Sequence, residues 1–82
     1  MKNFVRIESD IRHDIWKYFI DCLNAYMLRI NVNTPKFVEQ HYYDRCECAY
    51  DLIKIADIEV DKKTANIWIR IQYRHKKNIC EF

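Results

Sequence analysis

Apolar residues recur along this 82-residue chain with two periods, two at the ends and close to 3.6 through the middle. In residues 3–8, NFVRIE, Val5 and Ile7 lie on one side and Phe4, Arg6 and Glu8 on the other, the pattern of a short strand with one buried face. Ser9 or Asp10 then suits the N-cap of a long helix reaching about Arg29, with Asp10 and Asp14 near its positive end. On a helical wheel Ile11, Ile15, Tyr18, Cys22, Ala25 and Arg29 form one stripe. Trp16, Phe19, Leu23, Tyr26, Met27 and Ile30 widen it past half the circumference, leaving Asp14, Lys17, Asp21 and Asn24 in water. A surface helix needs an apolar stripe of about 100°, so this one should bury itself against a sheet and a second neighbour as well.

The polar NVNT stretch breaks the pattern, and Thr34 followed by Pro35 opens a second helix to about Ile53 or Lys54. Its apolar stripe reads as Val38, Tyr42, Ala49, Leu52 and Ile53, with Arg45 inside it. Beyond it, ADIEVDKKTANIWIRIQYRH alternates again. Ala56, Ile58 and Val60 would point inward, residues 61–64 would turn, and Ile67, Ile69, Ile71 and Tyr73 would return as the second strand of a hairpin. KKNICEF would be a tail held by Ile79 and Phe82. The expected fold is therefore α+β in the order β-α-α-β-β, a single domain over residues 1–82. Two helices would cover one face of a three-stranded, mostly antiparallel sheet.

Composition narrows the function classes. A chain of this length buries one modest core and leaves little room for a cleft beside it. It contains no glycine and one proline, which removes the glycine-built loops that bring backbone N–H groups against a phosphate. No apolar run reaches the roughly 18 residues of a membrane span, and MKNFVRIESD lacks the apolar stretch of a signal peptide. The expected location is cytoplasmic, with Cys22, Cys46, Cys48 and Cys80 as thiols. Charge is uneven: residues 1–60 carry 8 Lys+Arg against 10 Asp+Glu, residues 61–82 carry 6 against 2.

HYYDRCECAY, residues 41–50, gathers His41, Cys46 and Cys48. On a helix, residues two apart lie about 200° from each other, so the two cysteines face different sides. His41 and Cys48 share a side but make half of the four-ligand set that structural zinc requires. No metal and no cofactor is expected. Arg45 is the odder residue, since a guanidinium on an apolar stripe needs an acid, an edge or a partner protein. His13, His41 and His75 fall in separate elements and no glycine elbow exposes a nucleophile, so the reading is non-enzymatic.

The hairpin's outer face supplies the candidate binding surface. Trp68, Arg70, Gln72 and Arg74 would form a row there, with Phe4 and Arg6 of the first strand beside them. An aromatic between arginines suits a protein hot spot and also a base-stacking platform. The acids Glu8, Asp57 and Glu59 on the same face tip the reading towards protein. Trp16, Ile20, Leu23 and Met27 would form the seam of a homodimer. Richness in Lys, Asn, Ile and Tyr together with the absence of glycine resembles small accessory proteins of AT-rich bacteriophages. That resemblance implies a viral regulator or inhibitor of a protein partner, acting against host defence or on lysis control. The alternative is nucleic-acid binding. The order β-α-α resembles ribbon-helix-helix repressors, which would send Phe4, Arg6 and Glu8 into the major groove of DNA, although the first helix is long for that pattern and a hairpin follows. An RNA platform on Trp68, Arg70 and Arg74 is its other form.

Overall fold

The 3.6-residue period extends over far more of the chain than its alternating ends suggest. The structure, a computed structural model, describes the backbone of residues 2–80 and the side chains of residues 11–77. It contains three helices, α1 (Lys2–Arg29), α2 (Lys36–Ile55) and α3 (Lys62–Cys80), each in contact with the other two. There is no strand among the described residues. The expected α+β fold with a three-stranded sheet is thus replaced by an all-helical one. Residues 3–8 belong to the backbone of α1, with Ser9 and Asp10 inside the helix rather than at its cap. The side chains of Phe4, Arg6 and Glu8, and of Ile79 and Phe82, lie outside the described residues.

The segment read as a hairpin carried both periods at once. Ile67, Ile69 and Ile71 alternate, but Thr64, Trp68, Ile71 and His75 also recur at steps of four, three and four, and it is this second set that is buried. The start of this helix is fixed by local hydrogen bonds. Asp61 accepts the Thr64 N–H on its carboxylate at 3.2 Å, and the Ala65 N–H reaches the Asp61 carbonyl at 2.9 Å. Asp61 is therefore an N-cap and not a turn residue. Hydrogen bonding from Thr64 holds its carboxyl below the usual carboxylate range. The cap is accordingly intact at neutral pH and is lost as the pH falls through that lowered value. Tight hairpins, in addition, favour glycine at positive φ, and this chain has none.

The core follows the three helical stripes. Phe19, Cys22, Leu23, Tyr26 and Ile30 come from α1 and its C-terminal end, Tyr43, Cys46, Ala49 and Ile53 from α2, Trp68 and Ile71 from α3. The width of the α1 stripe is explained by its two neighbours, which are α2 and α3 instead of a sheet. Its expected wet side, Asp14, Lys17, Asp21 and Asn24, is exposed. The expected dimer seam divides: Leu23 is in the core, Trp16 and Ile20 are half-buried, and Met27 is exposed. Much of the apolar surplus on α1 is used within the chain, because α3 is a helix in place of the second strand of the expected hairpin. Among the described residues no helix is long and apolar enough to cross a membrane.

Helix ends are handled without glycine. The first link is an Asx-type turn, in which Asn31 Oδ1 accepts the Asn33 N–H at 2.8 Å and Thr34 Oγ1 accepts the Asn31 N–H at 2.9 Å. Thr34 thus braces the turn, and Pro35 occupies the N-cap position expected of Thr34. At the other end of α2, the Ile58 N–H bonds the Ile53 carbonyl at 3.0 Å and the Asp57 N–H bonds the Lys54 carbonyl at 3.1 Å. This is a Schellman closure with Asp57 at φ 54° in the left-handed position that glycine usually fills. The Arg12 guanidinium of α1 donates to the carbonyl of Ala56, and to that of Asp57 at 3.3 Å.

Left-handed backbone is costlier for a residue with a Cβ than for glycine. Asp57→Gly should therefore stabilise the fold by up to about 1 kcal/mol, raising the Tm by about 2–6 °C in thermal unfolding followed by circular dichroism. An unchanged or lower Tm would show that the αL strain at Asp57 is already relieved.

Candidate functional site

Moving the core stripe of α2 by one position changes which charged residue is buried. Glu39, Tyr43, Cys46, Ala49 and Ile53 face inward, whereas Arg45 is exposed. Arg45 lines a cleft of about 260 Å³ between α1 and α2 with Tyr18, Asp21, Cys22, Ala25 and Tyr42. The question raised by an arginine on an apolar stripe is thereby answered: it reaches the edge. The acidic side chain that is truly interior is Glu39, which is 3% exposed.

A carboxylate can be buried only if its oxygens are satisfied. Tyr26 of α1 donates its hydroxyl to Glu39 Oε2 at 2.6 Å. His75 of α3 places Nδ1 at 3.0 Å from Oε1 and 2.9 Å from Oε2. For His75 to donate to the carboxylate, Nδ1 must carry the proton. Glu39 is thus a three-way junction, one group from each helix. Burial, followed by the Glu39 hydrogen bond and charge, raises the Tyr26 hydroxyl well above the usual tyrosine value, which keeps it protonated as the donor.

An aromatic column backs this junction. The Tyr43 ring stacks on the His75 imidazole at 3.6 Å between centroids and 7° between planes, and on its other neighbour Trp68 at 5.6 Å and 18°. Tyr50 and Phe19 close around Trp68 at 5.5 and 6.2 Å. Trp68 is 4% exposed, and its indole N–H has no hydrogen-bond partner among the described residues. The residue expected at the centre of an outer binding face is instead a core anchor. On a helix, Trp68 and Arg70 point about 200° apart, so the expected Trp68, Arg70, Gln72, Arg74 row does not exist.

The arginines of that row nevertheless reappear on a surface. Met27 from α1 and Ile69, Arg70, Tyr73 and Arg74 from α3 line an open groove of about 490 Å³. Ile69 is 59% exposed and Tyr73 69%, large apolar groups left in water. Arg74 is half-buried, donates to the Ile30 carbonyl at 3.4 Å and lies 5.9 Å from the Tyr26 ring centroid. It therefore caps the C-terminal end of α1 while forming the groove wall, over the Tyr26 ring. Gln72 is exposed.

Cys46 donates its thiol to the Cys22 carbonyl at 3.2 Å, tying α2 to α1, and burial pushes its pKa up to about 12. Cys22 is also buried and raised by burial, whereas Cys48 is exposed. His41 and Cys48 both lie at the surface, and no three metal-ligating side chains gather among the described residues. No family model, no curated protein and no solved structure matches this chain.

Glu39→Ala would strand the Tyr26 hydroxyl and His75 in the core. It should cost about 3 kcal/mol and lower the Tm by more than about 10 °C. Glu39→Gln can still accept from Tyr26 and donate to neutral His75 Nδ1, so it should lose less than half as much; equal losses for the two would refute the junction as drawn. Alkali provides a second check. A thiol whose pKa is raised by folding favours the folded state fully below its ordinary value of 9.0, and that contribution disappears as the pH climbs towards about 12. Stability should hold to about pH 9 and then fall, less steeply in Cys46→Ala, as read by the Tm at each pH.

Proposed function

We propose that this protein is a small non-enzymatic binding module that regulates or inhibits a protein partner through the groove between α1 and α3. The carrying observation is that groove: Ile69 and Tyr73 stand exposed beside Arg70 and Arg74 on a helix tied to its neighbours through the Glu39 junction. Tyrosine and arginine are enriched where protein interfaces concentrate their binding energy, and apolar neighbours exclude water around them. Rigidity matters because a preformed surface loses less entropy on association. The groups whose protonation the fold perturbs most, Tyr26 and Cys46, lie in the core, where a substrate has no access. A cytoplasmic setting accords with Cys22, Cys46 and Cys48 as free thiols.

The nucleic-acid alternative in its two original forms needed strands, and the residues concerned are helical. What favours a polyanion now is α3 itself, which carries Lys62, Lys63, Arg70, Arg74, Lys76 and Lys77 and no acid.

A photo-crosslinking residue at position 69 tests the proposal in the native host cell. It should yield a discrete protein adduct that a second substitution, Tyr73→Glu, abolishes, while the same residue at exposed position 51 yields none. Adducts at both positions alike, or nucleic acid as the main adduct at 69, would overturn it.

A further inference from the structure

The two kinds of side chain in the groove form two parallel rows. Ile69 and Tyr73 are one helical turn apart and supply the apolar row; Arg70 and Arg74 are one turn apart and supply the cationic row. Met27 of α1 forms the opposite wall. Four residues rise about 6 Å along an α-helix, so both rows repeat with that spacing. The cationic row continues along the same side of α3 to Lys63 and Lys77, both exposed, and among the described residues no carboxylate lines the groove. Arg74 is anchored by Ile30 and Tyr26, and Arg70 has no hydrogen-bond or ion-pair partner among the described residues.

We infer that the groove takes an acidic amphipathic helix of a protein partner, one in which apolar residues and carboxylates each repeat every four positions on adjacent stripes. This rests on the reading of the groove as a protein-binding surface and specifies what it binds. The apolar stripe of the ligand helix covers Met27, Ile69 and Tyr73, and its carboxylates reach Arg70 and Arg74. Arg74 is held in place by Ile30 and Tyr26, while Arg70, unpaired among the described residues, can become bidentate on a carboxylate. A phosphate backbone could satisfy the arginines but would leave Met27 and Ile69 in water, which is why a protein helix fits better than nucleic acid. A basic helix would bring like charges together.

The test uses the full chain and fluorescent helical peptides of about 20 residues. One has Leu and Glu each repeated every fourth position on adjacent stripes, one has the same composition scrambled, and one has Lys in place of Glu. Binding is read by anisotropy and mapped by amide chemical shifts. The patterned acidic peptide should bind at least about tenfold tighter than either control, shift residues 27 and 69–74, and weaken severalfold at high salt. Arg70→Glu is at an exposed site and should keep the helical spectrum and Tm while losing at least about tenfold in affinity; Arg70→Lys should fall between. Equal binding of the scrambled peptide, stronger binding of the lysine peptide, or shifts elsewhere would each overturn the inference. So would an oligothymidylate that binds through Arg70 where the acidic peptide does not. If the peptides fail while the position-69 adduct persists, the partner is a protein of another shape. If that adduct is absent as well, the groove itself is misread.

Discussion

Glu39 places a carboxylate between three helices, and the geometry of the core depends on satisfying it. An apolar core tolerates small rotations of its helices because dispersion contacts are non-directional. A buried carboxylate does not, since its oxygens must meet the Tyr26 hydroxyl of α1 and the His75 Nδ1–H of α3 at hydrogen-bond distance. The interaction therefore specifies rotation and register as much as stability. Its Coulombic gain is offset in part by desolvation, so its main effect is to make alternative packings expensive. The stacked Tyr43 and Trp68 extend that order along the length of α3, because Tyr43 lies flat on the same imidazole that serves Glu39.

A chain without glycine has to finish its helices by other means, and the solution here is long-range. The C-terminal end of α1 receives Arg74 of α3, and that of α2 receives Arg12 of α1. In both cases a cation sits where the helix dipole is negative and where carbonyls lack intrahelical partners. Each helix end is thereby tied to a different helix, which couples local capping to tertiary assembly. Arg74 has a second consequence. The same guanidinium that closes α1 also walls the groove and rests over Tyr26, so the outer surface and the buried junction share one side chain.

That coupling bears on how a partner would be held. The groove is built by two helices whose relative position is set by Glu39 and whose mouth is shaped by an arginine already committed on one side. In the proposed complex, exposed Ile69 and Tyr73 would contribute contact area, and Arg70, unpaired among the described residues, would contribute direction. A helical face that presented its anchors without reorganising would meet the condition under which a small interface can be specific.

The sequence by itself determined where the middle helices lie and which side of α1 is wet, because a long stripe at period 3.6 is a one-dimensional signal. Asp14, Lys17, Asp21 and Asn24 are exposed as their positions require, and α2 spans nearly the expected residues. It did not determine the fold class. Isoleucine at alternate positions in 67–71 reads equally as a strand, and Asp61 to Thr64 reads equally as a turn. Only the presence of an α1 and α2 surface able to cover Trp68, Ile71 and His75 selects the helix. The same limit hid the junction. On the wheel of α2, a stripe through Val38, Tyr42 and Arg45 and one through Glu39, Tyr43 and Cys46 differ by one residue, and each carries one charged residue, so hydropathy does not separate them. Tertiary structure chose the other, because Tyr26 and His75, far apart in sequence, meet there and make an interior carboxylate affordable.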